Sequence, residues 1–242
     1  MTTSAYQQGI PQRFKGGVFD RLNQLGDSSY SDDFEDGSIA GAWNWVNQGS
    51  ATRAEASGAL TISNVAGTTR QVRSQMRSVP SQESWTATAK ISALLQAGTE
   101  AQAGMSLMET SSGRMWNFSM CSTDGTATSW FSVDVTGAIS TTATTPTVMG
   151  MRAFPMFGRI TKVNPKSYSF ELSPNGYAWL PVVTQVDPTG YMTPDWMGFW
   201  VNATNNLTSA VSCHWWRTDT SQWLWPSTTL YPNTTLFPGE VY

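Results

Sequence analysis

Histidine occurs once, at His214, and cysteine twice, at Cys121 and Cys213, which leaves too few nitrogen and sulfur ligands for a zinc centre. The two cysteines stand far outside any CxxC spacing and read as free thiols packed as small hydrophobes. Charge is scarce as well, at 13% of residues. The 14 Lys and Arg are scattered without a cluster of four, and the net charge is −3, so no phosphate-tracking surface is written and nucleic acid is not an expected partner. No apolar run approaches the roughly 18 residues of a membrane span. The first thirty residues lack a basic-then-apolar leader, so no signal peptide is expected.

Core material is abundant: 40% of residues are hydrophobic and 12% aromatic, with 12 tryptophans. The clearest local signal is the hairpin at 166–182. Tyr168, Phe170 and Leu172 alternate with Ser167, Ser169, Glu171 and Ser173, which gives one apolar and one polar strand face. Pro174-Asn175-Gly176 then supplies a turn whose residues preset or tolerate the dihedrals of a tight reversal. Trp179 follows on the return strand, within reach of Phe170 or Leu172.

Short β segments separated by Gly, Ser, Asn and Thr recur along the chain. Strands are expected over 43–47, 60–63, 85–95, 103–109, 115–121, 129–135, 152–162, 168–172, 179–183, 196–202 and 210–216. Their spacing predicts an all-β fold, a two-sheet antiparallel jelly-roll sandwich with extended N- and C-terminal arms. The stretch 93–103 is Ala-rich and ambiguous. Residues 1–30 form the N-terminal arm, in which Phe14 and Phe19 are apolar anchors and a short helix over 18–25 is possible. The sandwich occupies 31–217. In 218–242, Trp223 and Trp225 precede the near-repeat Thr228-Thr229-Leu230-Tyr231-Pro232 and Thr234-Thr235-Leu236-Phe237-Pro238. Prolines at that spacing exclude a central strand and make an extended C-terminal arm.

Several segments, in order, resemble the concanavalin A-like jelly-roll domains, in particular the laminin-G-like and xylosidase-associated accessory modules. They are Asp33-Phe34 with Trp43-Asn44-Trp45, Gly58-Ala59-Leu60-Thr61-Ile62, Gln102-Ala103-Gly104-Met105-Ser106-Leu107 with Trp116, Ser173-Pro174-Asn175-Gly176 with Trp179, and Met197-Gly198-Phe199-Trp200-Val201. The resemblance covers about 31–217 and implies a sandwich with one concave sheet, often used to bind carbohydrate. It does not extend to the arms.

Catalytic relatives carry a Glu-X-Asp-X-X-Glu strand that this sequence lacks. Its acids, among them Glu83, Glu100, Glu109, Asp134, Glu171, Asp187 and Asp195, are mostly isolated or in loops, so the two positioned carboxylates of a glycoside hydrolase are not expected. His214 is read as satisfied in or beside the sandwich, with Trp215 on the opposite strand face. Asp32, Asp33 and Asp36, with Glu35, gather before the first strand. They are weak calcium candidates, as is Asp124, but a solvated acidic turn needs no metal, and no cofactor is expected. Trp116, Trp130 and Trp200 are candidates for an aromatic platform that stacks on sugar rings, although core is the commoner place for a tryptophan; Trp43, Trp45, Trp85 and Trp179 are read as core.

The expectation is a non-enzymatic virion structural protein of a tailed bacteriophage, either a capsid decoration or a tail-associated protein assembled in the host cytoplasm. Its arms, anchored by Phe14, Phe19, Trp223, Trp225, Tyr231 and Phe237, would dock on neighbouring virion subunits or on copies of itself. The jelly roll would remain free for adhesion to a cell-surface glycan. The alternatives are a carbohydrate-binding module and, less favoured, a glycoside hydrolase.

Overall fold

A computed structural model describes residues 28–65, 72–94, 101–123, 126–135, 138–147, 156–164, 167–186, 192–202 and 208–220. After a 3-10 turn at Ser28–Tyr30 come fourteen strands: β1 (Asn44–Val46), β2 (Thr52–Glu55), β3 (Leu60–Val65), β4 (Arg73–Ser78), β5 (Trp85–Leu94), β6 (Ala101–Glu109) and β7 (Arg114–Thr123), followed by β8 (Thr126–Val135), β9 (Ala138–Thr147), β10 (Met156–Asn164), β11 (Ser167–Ser173), β12 (Leu180–Val186), β13 (Trp196–Asn202) and β14 (Thr208–Asp219). They make two seven-stranded antiparallel sheets. The first has the order β1-β4-β13-β6-β7-β8-β9 and the second β12-β11-β10-β5-β14-β3-β2. The expected two-sheet sandwich is therefore the observed one. The arm anchors Phe14, Phe19, Trp223, Trp225, Tyr231 and Phe237, together with the possible helix over 18–25, lie outside the described residues.

Alternation along each strand sends one set of side chains between the sheets. From the first sheet come Met105, Leu107, Trp116, Phe118, Met197, Phe199 and Val201; from the second come Ile62, Ala89, Ile160, Phe170, Val211 and Trp216. Phe118 stacks on Phe170 across the gap at 4.6 Å. Trp43 is ringed by Phe34, Phe199 and Trp216 at centroid distances of 5.5 to 5.7 Å. The sheets approach so closely at Gly158 that a Cβ there would lie 2.6 Å from the Met105 sulfur.

The hairpin forms as read. Tyr168, Phe170 and Leu172 face the core. In the turn, the Ser173 hydroxyl accepts from the Gly176 amide at 2.8 Å, the Asn175 side-chain oxygen accepts from the amides of Tyr177 and Ala178 at 2.9 and 3.0 Å, and Gly176 takes φ +78°. Trp179, expected in the core, instead lies half-buried with the Arg159 guanidinium 4.2 Å from its ring centroid. Arg159 also pairs with Glu171 at 2.6 Å, so Glu171 is buried and charge-paired on the polar face. Trp45, likewise read as core, is half-buried against it, with Arg53 over its ring.

Three strands have no counterpart in the sequence reading. β4 reads Arg-Ser-Gln-Met-Arg-Ser, yet Arg73, Gln75 and Arg77 stand opposite the core residues Val201, Phe199 and Met197. The interior accepts them because each finds polar or aromatic company: Arg73 donates to the Asn47 carbonyl at 2.8 Å, Gln75 accepts from Arg53, and Arg77 lies over Trp43 while donating to the Ser29 carbonyl at 2.7 Å. β2 and β9 are the outermost strands of their sheets. An edge position explains how β9 tolerates Pro146, since one side of the strand needs no ladder donor.

Candidate functional site: the outer face of the first sheet

In β13, Met197, Phe199 and Val201 point into the core, so Trp196, Gly198, Trp200 and Asn202 fall on the outer face. Register extends this set across neighbouring strands in rows. One row runs Ser74, Trp200, Gly104, with Ser119 and Trp130 at the matching positions of β7 and β8. The next runs Met76, Gly198, Ser106, Asn117, and the one beyond it Ser78, Trp196, Met108, Met115. On the opposite flank Asn202 stands beside Gln102.

The Trp200 indole N–H donates to the Met105 carbonyl at 3.0 Å, directing the ring towards β6, where its register partner Gly104 has no side chain. Gly198 is required by packing: a Cβ there would come within 2.0 Å of the Gln75 carbonyl oxygen. At the described positions of β4, β13, β6 and β7 this face is uncharged. It offers the amides of Gln102, Asn117 and Asn202, the hydroxyls of Ser74, Ser78 and Ser106, the indoles of Trp196 and Trp200, and three thioethers. Such a set hydrogen-bonds and stacks on neutral polar molecules without a formal charge.

The face is also buried. Ser74, Met76, Trp200, Gln102, Ser106, Asn117 and Asn202 are all 0% exposed. Among the described residues, neither end of the Gln102 amide and no partner for the Ser74 hydroxyl is found in hydrogen-bonding reach. Among the described residues, Val72, Met76, Met108, Met115 and Trp200 form a second apolar cluster with Val46 and Trp196, which belong to the first sheet or, for Val72, directly precede β4.

Of the three tryptophans singled out in sequence, the structure separates Trp116 from the others. Trp116 lies in the intersheet core at 4% exposure, so it offers no platform. It shares parity with Phe118 in β7, and that pairing was the available signal. Trp200 is on the outer face, though covered. For Trp130 the backbone places it in the same row as Trp200, and its side chain lies outside the described residues. Gln102, Asn117, Asn202, Ser74 and Ser106 were not singled out for this face; alternation from Trp200 through β13 and its neighbours would have found them.

The acidic stretch is used structurally. Asp32 accepts from the Phe34 amide at 3.0 Å and from the Trp43 indole at 2.8 Å, while its backbone bridges to Trp216. Asp36 accepts from the Ser38 amide at 2.9 Å, which holds its carboxyl below the usual range. Asp33 is exposed, with Arg217 at 3.9 Å. Among the described residues no three His, Cys, Asp or Glu side chains gather as a metal site; Asp124 lies outside them. Burial, then the neighbouring Asp36 and the charge of Asp32, pushes Glu55 up to about 7.

His214 is satisfied by the Ser92 hydroxyl at 2.8 Å. It does not oppose Trp215, as simple alternation implied. A bulge between Cys213 and Trp215 inserts one residue between the core positions Cys213 and Trp216, and places both His214 and Trp215 on the outer side, with Trp215 against Phe157 at 5.9 Å. Cys213 is a free, fully buried thiol whose pKa burial raises. Cys121 belongs to β7 of the other sheet.

No family model and no curated protein matches the sequence. Solved structures do match in fold. A GH43 protein, BlXynB, from Bacillus licheniformis superposes with a TM-score of 0.61 at 15% identity over 80% of this chain, which spans 39% of that chain. The CBM2 module of the evolved Dit of Lactobacillus casei BL23 phage J-1 gives 0.54 at 12% identity, over 80% of this chain and 96% of that one. Peanut lectin gives 0.51 at 10%, over 78% and 95%. At these identities the likeness is one of architecture: the chain folds as a lectin-like, two-sheet jelly-roll β-sandwich.

Proposed function

We propose that this chain is a non-enzymatic virion protein of a tailed bacteriophage that attaches through its terminal segments and uses the outer face of the first sheet for glycan adhesion. The observation that carries the reading is that face. It combines the Trp200 indole with neutral amide and hydroxyl groups, and the Gln102 amide lacks a partner among the described residues. A neutral sugar presents the matching chemistry, hydroxyls for the amides and C–H faces for the indole. The uncharged positions also lack the paired carboxylates that glycoside hydrolysis requires. The virion setting is supported by the likeness to the phage J-1 module, and by a low-charge chain whose two flanks carry Phe14, Phe19, Trp223, Trp225, Tyr231 and Phe237.

The test is a glycan array probed with the full chain, and in parallel with the chain carrying Phe14→Ser and Phe19→Ser. Selective binding that falls roughly tenfold on Gln102→Ala, the effect of one lost buried hydrogen bond of about 1.4 kcal/mol, is expected. Absence of binding in both forms, or binding indifferent to Gln102→Ala, overturns adhesion at this face. Incorporation of the chain into purified phage particles, and its loss in the arm variant, tests the virion setting.

A further inference from the structure

We propose that the outer face of the second sheet carries a binding site for a carboxylate-bearing sugar, a uronate unit of an acidic glycan, built around Trp215, Lys90 and His214. The site lies on the opposite side of the sandwich from the face described above and does not rest on the adhesion reading given to that face.

β14 lies between β5 and β3, yet its ladder is broken at one residue. Cys213 pairs with Ile91 and Trp215 with Lys90, which leaves His214 without a register partner in β5, and the ladder to β3 ends at Cys213. Unbroken alternation from the inward Cys213 would point Trp215 into the core. The extra residue instead turns Trp215 outward beside His214 and returns Trp216 to the core. The distortion is fixed on both sides. The buried Cys213 thiol donates to the Trp215 carbonyl at 3.3 Å, and Trp216 and Asp32 exchange two backbone hydrogen bonds of 2.8 Å. A bulge of this kind re-aims a side chain at the expense of ladder hydrogen bonds, and here it brings an indole and an imidazole to one surface.

Register puts Phe157, Lys90 and Trp215 in one row across β10, β5 and β14. Phe157 and Trp215 stand two strand spacings apart, about 9.6 Å. Their ring centroids are only 5.9 Å apart, so the rings lean towards each other over β5. Trp215, Lys90, His214 and Ser92 are all partly exposed, unlike Trp200 on the other face. The Ser92 hydroxyl holds His214 Nε2 at 2.8 Å. Burial, and then the Lys90 ammonium, lower the pKa of His214, which keeps the imidazole neutral near pH 7 and places the ammonium close to it. The arginines of this face are paired, Arg159 with Glu171 and Arg217 with Asp33, whereas among the described residues Lys90 forms no ion pair. An aromatic ring, one uncompensated positive charge, a neutral imidazole and a hydroxyl thus share one surface. A uronate matches each of them: its C–H face stacks on Trp215, its carboxylate meets Lys90, and its hydroxyls meet His214 and Ser92.

His214 is the only histidine in the chain, so its imidazole signal in the NMR spectrum of the untagged full chain reports on this site directly. Hexamers of galacturonate, mannuronate and hyaluronan are titrated at physiological salt, with the methyl ester of each as its neutral counterpart and hexaglutamate as an acidic peptide. At least one uronate hexamer is expected to shift the signal saturably, and its ester to bind roughly fivefold more weakly. Lys90→Gln is expected to bring the acid down to the level of its ester, whereas Trp215→Ala weakens both roughly tenfold. If Trp215→Ala unfolds the chain, seen as lost dispersion of the methyl signals, Lys90→Gln decides, because it removes no core packing. The proposal is overturned if no uronate moves the signal, if acid and ester bind alike, or if Lys90→Gln changes nothing. Hexaglutamate binding as tightly as the uronates would equally overturn it, by making the surface a docking point for acidic peptides. A failed glycan array for Gln102→Ala would sink the adhesion reading of the first face and leave this result standing.

Discussion

The two sheets have equal strand numbers and opposite outer faces. On the second sheet the polar side chains complete one another: Arg159 pairs with Glu171, His214 with Ser92, and Thr61 with Ser212 at 2.8 Å. On the first sheet, Gln102 and Ser74 find no described partner and Trp200 is fully buried. One face is finished by its own residues, whereas the other leaves buried polar groups without a described partner. Because buried polar groups must be paired, the unfinished face is where function is sought.

The largest expected effect tests whether Trp200 is energetically a core residue. If the face is covered, Trp200→Ala should cost about 3 to 5 kcal/mol in urea unfolding, as a buried tryptophan does, and should also release the Met105 carbonyl. A loss below about 1 kcal/mol would mean that the face is open, and the contrast between the sheets would collapse. Next comes Gly198→Ala. Its Cβ would meet backbone rather than a side chain that can swing away, so β4 and β13 must separate, at about 2 to 3 kcal/mol. Gly104→Ala, at the floor of the neighbouring row, provides the comparison.

How much of this was legible in sequence depended on parity. The hairpin at 166–182 and the bounds of β13 could be read, because apolar residues alternate cleanly and Asn175-Gly176 marks the reversal. Trp116 was misplaced although Phe118, two residues on, already pointed it to the core. β4 was invisible for a physical reason: its inward residues are Arg73, Gln75 and Arg77, and their burial depends on Trp43, Arg53, Asn47 and Ser29, which are distant in sequence. The bulge at His214 shifts parity by one residue with no local signature, so the placement of Trp215 could not follow from alternation. The candidate site was half legible. Trp200 was named, but the amides and hydroxyls around it become a group only when β4, β6, β7 and β13 are aligned.

On the finished face, Glu171→Gln removes the charge that pairs with Arg159, whose guanidinium retains solvent access and Trp179. The expected loss is about 1 to 2 kcal/mol, less than for Trp200. A loss as large as that of Trp200→Ala would show that the second sheet's outer side is as closed as the first's.

The smallest effects concern pH, and they too should separate the sheets. Glu55, on edge strand β2 of the second sheet, is raised from its ordinary 4.5 to about 7 by burial, with Asp36 and Asp32 adding to the shift. The folded chain thus holds a proton that the unfolded chain releases, so this contribution is complete below 4.5 and is lost as pH rises through about 7. His214, on the same sheet, is shifted the other way, lowered by burial and by Lys90. Its contribution is complete above the ordinary 6.5 and is lost as pH falls through the folded value. Melting temperatures measured from pH 4 to 8 should therefore lose their alkaline decline in Glu55→Gln and soften their acid decline in His214→Gln. Gln102→Ala, at an uncharged position of β6 beside Asn202, should leave both limbs unchanged; a changed limb in that variant would place a titrating group against this part of the first sheet.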